Sequence, residues 1–325
     1  MKALLCKQFA APESLVLEEV PDLVPGDTQA VIEVKAASVN FPDTLIVQGL
    51  YQFKPALPFA PGGECAGVVK SVGAKVKTVK PGDRVIAFTG WGAFAEQVVA
   101  DAMQLIPMPA AMDFDTASAF VMTYATSYHA LKDRAALKAG ETLLVLGASG
   151  GVGLAAIEIG KALGAKVIAA ASSPEKLAIC REHGADELID YAKEDLKDRL
   201  KELTGGKGVN VVYDPVGGGY SEPALRSIAW RGRFLVVGFA NGEIPKIPLN
   251  LALLKGASIV GVFWGDYAKR EPMNNLMDLK ALLAWLQEGK LKPRIAARYP
   301  LARGAEAIRA LMERKVSGKL VVNPG

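Results

Sequence analysis

The sequence predicts an α/β fold, a doubly wound sheet of six parallel strands joined to a second, β-rich domain. Three observations carry this. From Thr142 onward, apolar runs of strand length alternate with helix-length segments in six cycles, the pattern of a parallel sheet covered by helices on both faces. Residues 1 to about 120 instead carry short apolar or alternating runs between turn residues, which suits a small Greek-key barrel. A more helical stretch, Asp113 to Asp133, lies between the two regimes.

The chain is organised around Thr142–Lys176. Leu143–Leu146 is an apolar run suited to a strand buried on both faces, and it passes directly into glycines at 147, 150, 151 and 153. A helix follows from about Gly151 with apolar Leu154, Ile157 and Leu163, Gly164 stops it, and Val167–Ala171 is a second strand. Glycine lets a phosphate approach the backbone where a Cβ would intervene, and the helix start aims unpaired N–H groups and a positive dipole end at it. Strand, glycine turn, helix and strand together form the dinucleotide-binding context known as the Rossmann unit, with Ser149 in place of the motif's middle glycine.

The second strand bears on which nucleotide binds. An NAD site ends that strand with an acid for the ribose hydroxyls, whereas here Ala170 and Ala171 lead into Ser172, Ser173 and, soon after, Lys176. Hydroxyls and an ammonium suit a 2′-phosphate that a carboxylate would repel, so NADPH is favoured over NADH. Ser172 and Ser173 also suit the cap of a helix begun by Pro174, a role compatible with the first.

In the amino-terminal region, the runs Ala30–Val34, Ala66–Val72, Arg84–Phe88 and Phe94–Val99 are separated by Pro25-Gly26-Asp27, Pro61-Gly62-Gly63 and Pro81-Gly82-Asp83. Later strands are expected at Glu187–Tyr191, Val209–Asp214, Arg233–Phe239 and Ser258–Trp264. Helices are expected at Glu194–Leu203, Tyr220–Ile228 and Leu249–Leu254. Helices at Met273–Gln287 and Ala302–Lys315 and a strand at Lys319–Val322 exceed what a complete six-stranded sheet can take. The carboxy terminus is therefore expected to return to the first domain, giving domains of 1–122 with 266–325 and of 123–265.

The 325 residues suit two domains, and 50% hydrophobic with 22% charged content is ordinary globular composition. The net charge of +4, without a dense Lys/Arg block, argues against nucleic-acid or membrane partners and for small molecules. Cys6, Cys65 and Cys180 are too widely spaced for a disulfide framework or a CxxC metal pair, which implies a reducing compartment. The amino terminus MKALLCKQFAAP lacks a secretory pattern, so a cytoplasmic protein is expected.

The segments GDRVIAF, GAFAEQVVA, the run from Thr123 to Leu131, GASGGVG, HGADELIDY, DPVGG and SGKLVV resemble the medium-chain dehydrogenase/reductase superfamily. Within it the sequence is most similar to the zinc-free NADPH:quinone oxidoreductases of the ζ-crystallin type, and the resemblance implies a GroES-like first domain. The zinc branch holds its metal through cysteine, histidine and a further cysteine or acid. Asn40 stands where that branch has its first cysteine and Gly63, before Glu64, where it has its histidine, so no metal site is expected. His129 and His183 lie in helical contexts suited to packing or surface roles.

Hydride transfer without a metal suits acceptors already electrophilic, quinones or carbonyl-conjugated alkenes, whose developing oxyanion needs only hydrogen-bond donors. The resemblance implies Asn40 and Tyr51 as the residues facing the nicotinamide and substrate, each able to donate to an enolate or quinol oxygen. Asn40 in Ser-Val-Asn-Phe-Pro-Asp also suits a turn, Tyr51 a wall of the site, and Asp43 a structural role. The resemblance further places Thr126 near the nicotinamide, Ala148, Ser149, Gly150, Gly151 and Val152 around the pyrophosphate, and Ser172, Ser173, Lys176 and Tyr191 around the 2′-phosphate and adenine. Phe239 and Phe263, at strand ends on the sheet's carboxyl edge, are expected to shape the nicotinamide pocket, although aromatic residues at strand ends also suit plain core or a subunit interface. Ser258–Trp264 is also the expected edge strand, which family members often pair across a dimer axis, so the resemblance implies a homodimer. Two other readings stand beside a quinone or enone reductase: an enoyl reductase for a CoA- or carrier-linked alkene, and an NADPH-binding, crystallin-like protein with little turnover.

Overall fold

The computed structural model describes every residue, Met1–Gly325. The chain forms two compact units, Met1–Met122 with Pro293–Gly325, and Thr123–Lys292.

The first unit opens with an antiparallel pair, β1 (Lys2–Leu5) and β2 (Val16–Glu19). The long β3 (Gln29–Val39) follows the Pro-Gly-Asp turn; its β-branched residues Val31, Ile32, Val34 and Val39 are buried and Glu33 faces solvent. Helix α1 (Phe41–Ile46) comes next, then β4 (Glu64–Val72), β5 (Arg84–Phe88), β6 (Gln97–Asp101), β7 (Ile106–Pro107) and α2 (Phe114–Ser118). The chain passes into the second unit within α3 (Val121–Tyr128).

The second unit alternates β8 (Thr142–Leu146), α4 (Gly151–Ala162), β9 (Lys166–Ala171), α5 (Pro174–Glu182), β10 (Glu187–Asp190), α6 (Leu196–Leu203) and β11 (Val209–Asp214). It continues through α7 (Ser221–Arg226), β12 (Ile228–Val236), α8 (Asn250–Lys255) and β13 (Ser258–Gly261) to α9 (Trp264–Arg270) and α10 (Pro272–Gln287). The six strands pair in parallel in the order β10-β9-β8-β11-β12-β13, so the strand order reverses between β8 and β11. A crevice for a ligand opens beyond the carboxyl ends of the strands at such a reversal. Leu143–Leu146 and Val167–Ala171 are buried throughout, as their uninterrupted apolar runs require.

The remaining elements, β14 (Ile295–Pro300), α11 (Gly304–Met312) and β15 (Lys319–Asn323), complete the first unit. Its larger sheet runs β14-β15-β3-β4-β5-β7, with β6 also on β3. The chain therefore returns to this unit at Pro293 rather than at residue 266. Residues 266–292 stay with the second unit because their helices are tied to it. Trp264 Nε1 donates to Asn275 Oδ1 at 2.9 Å, Tyr267 donates to Asp278 at 2.7 Å, and Trp285 packs edge-on against Tyr128 with ring centres 5.5 Å apart. The sixth strand is also shorter than expected: it stops at Gly261, and Trp264 begins a helix. The fifth begins earlier, at Ile228, and ends at Val236 instead of Phe239. No helix is long and apolar enough to cross a membrane.

Candidate active site

At the carboxyl edge of the parallel sheet, β8 ends at Leu146 and the chain turns through Gly147, whose φ of 57° lies in the left-handed region that glycine adopts without strain. Ala148 N donates to Ala170 O at 3.1 Å, and Gly150 N to Gly147 O at 3.0 Å, which fixes the turn against β9. Helix α4 then starts at Gly151 with no side-chain cap, so its first N–H groups have no partner within the helix. A Cβ on Gly153 would lie 2.6 Å from the carbonyl oxygens of both Gly147 and Ala148, so only glycine lets the helix sit this close to the turn. Backbone at Ala148, Ser149, Gly150, Gly151 and Val152 thus forms a cradle of the kind a pyrophosphate requires.

Thr126, half-buried on α3, is set beside this cradle by its neighbour. Ser127 Oγ donates to Val152 O at 3.0 Å and lies 2.9 Å from the hydroxyl of Tyr213, which ends β11 but for one residue. Ser127 and Tyr213 were not singled out by the sequence, since a serine and a tyrosine in two separate elements carry no motif.

Past the end of β9, Ser173 Oγ accepts from Lys176 N at 3.4 Å and Pro174 opens α5, so Ser173 is committed to the cap. Ser172 is exposed, and Lys176 Nζ donates to its hydroxyl at 3.1 Å. No carboxylate ends β9. Tyr191 follows β10 and packs against Tyr220 with ring centres 4.3 Å apart, an aromatic pair one strand away from Ser172. Phe239 lies three residues beyond β12, and its ring is within 2.9 Å of where a Cβ on Gly217 would stand. Phe263 lies two residues beyond β13 and is exposed.

In the first unit, Asn40 occupies the N-cap of α1 and is buried. Its amide Nδ2 donates to Ser38 Oγ and to Glu64 Oε1, both at 3.1 Å, while Oδ1 accepts from Lys319 Nζ. Ser38 Oγ donates to the same Glu64 oxygen at 2.6 Å, and Lys319 Nζ also donates to Val39 O at 2.9 Å. The direct donation to substrate expected of Asn40 is therefore not what its amide is arranged for: both N–H bonds are engaged inside the protein. The sequence hid this because Lys319 lies 279 residues away.

Asp43 is buried, accepting from Asn40 N at 2.7 Å and Gly62 N at 3.0 Å. Burial pushes its carboxyl up to about 6, against the opposing pull of these two N–H groups. Tyr51 lies five residues beyond α1, its ring packed on the core of the unit and edge-on to Phe53 at 5.9 Å. Its hydroxyl makes no hydrogen bond within the chain. Burial first, then the negative charge of Asp43, raises the phenol above its ordinary value, so it is a protonated donor at neutral pH. Gly63, beside Glu64, leaves no room for a larger residue without movement, since a Cβ there would meet Gly90 O at 3.2 Å.

The histidines take packing roles. His129 stacks on Tyr267 with ring centres 4.1 Å apart, and His183 Nδ1 lies 2.6 Å from Glu158, which also accepts from the Tyr124 hydroxyl at 2.8 Å. All three thiols are buried, and those of Cys65 and Cys180 are pushed up to about 12 by burial, so neither is a thiolate nucleophile. No group of three or more His, Cys, Asp and Glu side chains converges as a metal site.

Comparison with known proteins agrees with this architecture. Residues 26–110 match the family described as the alcohol dehydrogenase GroES-like domain, and residues 151–282 the family described as zinc-binding dehydrogenase. The chain is 41% identical to the quinone oxidoreductase-like protein 2 homolog of Nematostella vectensis, covering 99% of this chain and 88% of that one. It is 37% identical to the quinone oxidoreductase of Pseudomonas aeruginosa over 98% of both chains. The solved structure of Escherichia coli quinone oxidoreductase complexed with NADPH superposes with a TM-score of 0.93 at 32% identity, covering 100% of each chain.

Proposed function

We propose that this chain, which belongs to the quinone oxidoreductase family of the medium-chain dehydrogenase/reductase superfamily, transfers a hydride from NADPH to a quinone or another conjugated carbonyl without a metal. The observation that carries the cofactor choice is the Ser172–Lys176 pair beside a strand end without an acid, next to a glycine cradle that excludes a Cβ. NADPH supplies the hydride at its nicotinamide C4. Two electrons and one proton pass to the acceptor; a second proton, from a protein donor or water, completes the hydroquinone.

The protein's share is positioning and hydrogen bonding. Ala148–Val152 bind the pyrophosphate through backbone N–H groups, Lys176 and Ser172 the 2′-phosphate, and Tyr191 the adenine. Thr126, Phe239 and Phe263 border the nicotinamide. Tyr51, whose phenol stays protonated and has no partner in the chain, donates to the oxygen that gains charge; Asn40 holds the segment leading to it. Metal independence is supported by Asn40 being bonded to an ammonium, which a cation at the same amide would have to displace.

A homodimer through the edge strand β13 is supported by the apolar residues that unit leaves in solvent, Trp230 at 70%, Leu253 at 77% and Ile259 at 39% exposure. The test of the reading is a panel of quinones, enones and enoyl thioesters at fixed NADPH. Turnover of quinones or enones with no added zinc supports it. Turnover confined to enoyl thioesters, or none faster than free NADPH, would replace it with the carrier-linked or non-catalytic reading.

A further inference from the structure

We propose that Lys319 is a positioning residue for the reduction: by fixing the amide of Asn40 it holds α1 and, through α1, Tyr51. This rests on the reading of the chain as a reductase in which Tyr51 meets the acceptor.

The orientation of the Asn40 amide is dictated by chemistry. A lysine ammonium can only donate and an ionised carboxylate can only accept, so Oδ1 must face Lys319 and Nδ2 must face Glu64. The register of the sheet delivers the lysine: β15 runs antiparallel to β3 with Leu320 opposite Val39, which places Lys319 level with Asn40. From Asn40 the path to Tyr51 is continuous. Asn40 N donates to the Asp43 carboxylate at 2.7 Å, α1 runs to Ile46, Gly49 N donates to Ile46 O at 3.1 Å, and Leu50 N to Leu45 O at 2.9 Å. Tyr51 is the next residue.

Stability alone does not account for the lysine. Its side chain is 7% exposed and that of Glu64 0%, separated by 3.6 Å, and the cost of removing such a pair from water offsets its attraction, so apolar replacements are often neutral or better. What an apolar residue cannot supply is a donor to Asn40 Oδ1.

Replacing Lys319 alone leaves the Glu64 carboxylate buried without its paired cation, which threatens the fold. The test is therefore the double variant Glu64→Gln with Lys319→Met, compared with the parent and with Asn40→Leu, which removes the amide but keeps the ion pair. Both are expected to keep the KM for NADPH within about twofold and to lose roughly tenfold or more in kcat/KM for 1,4-benzoquinone, the loss of a donor aimed at developing charge. Tyr51→Phe, added to the double variant, is expected to cost less than a third of its factor in the parent, because coupled residues do not act additively. Parent-like quinone turnover in the double variant, or an undiminished effect of Tyr51→Phe within it, overturns the proposal. If the parent reduces no quinone, the reductase reading has failed and amide hydrogen exchange decides this one. Exchange across residues 40–51 that is roughly tenfold faster in both variants, with other segments unchanged, supports the link. Exchange there equal to the parent's overturns it.

Discussion

Lys176 Nζ donates to Ser172 Oγ at 3.1 Å, joining an ammonium on the first turn of α5 to a hydroxyl just past the end of β9. An ammonium and a hydroxyl, past a strand that no carboxylate ends, discriminate by charge. Lys176→Ala is expected to raise the KM for NADPH roughly tenfold to a hundredfold, the range set by about 1.5–3 kcal/mol for a charged hydrogen bond. The KM for NADH should change little; steady-state kinetics with both cofactors checks this, and equal effects on the two would refute the charge argument.

Gly153→Ala places a methyl group 2.6 Å from two backbone carbonyl oxygens. Either the turn or the helix start must shift. The expected result is a stability loss of about 1–3 kcal/mol by overpacking, with weaker NADPH binding in a fluorescence titration. Unchanged melting and affinity would mean the turn yields freely.

Tyr51→Phe removes a hydroxyl without a partner in the chain, so stability should change by less than about 0.5 kcal/mol. Turnover of quinone is expected to fall roughly tenfold to a hundredfold with the KM for NADPH unchanged. Thermal melting and a kcat-against-KM comparison separate a donor from a wall.

Asp43 gives a pH signature of definite sign. Its folded value of about 6 lies above the ordinary 3.8, so the folded protein binds the proton more tightly than the unfolded chain. The Asp43 contribution to stability is therefore greatest at low pH, falls as pH rises through this interval by at most about 1.4 kcal/mol per unit, and is constant above it. Urea midpoints of the parent minus those of Asp43→Asn, measured across this range, should follow that curve. A flat difference would contradict it.

Ile259→Lys puts a charge on the edge strand β13, a device that blocks edge pairing. Sedimentation should report a dimer for the parent and a monomer for the variant. An unchanged mass would move the interface elsewhere.

The parallel sheet was legible because its strands are buried on both faces and so are apolar without interruption, as at Leu143–Leu146 and Val167–Ala171. The glycine turn was legible because its backbone needs are local. Strand ends were less so: Ser258–Trp264 is one apolar run, yet the ladder stops at Gly261 because Trp264 is drawn into α9 by its bond to Asn275. The return point was misplaced for the same reason, since side-chain bonds from α10 to Trp264 and Tyr267, not composition, keep residues 266–292 with the parallel sheet. In the candidate site, placements set by the local backbone or by neighbouring residues, such as Gly153 in the turn and Lys176 beside Ser172, could be read from the chain. The saturation of Asn40 could not, because it depends on Lys319 arriving from the last strand.

The proposed reaction is hydride transfer from NADPH to a quinone without a metal. It is tested most directly by the absorbance decay of NADPH in the presence of the purified protein, 1,4-benzoquinone and a zinc chelator. A decay proportional to protein concentration, well above that with NADH, is the result expected. No acceleration over protein-free mixtures, or activity that appears only after zinc is restored, would contradict it.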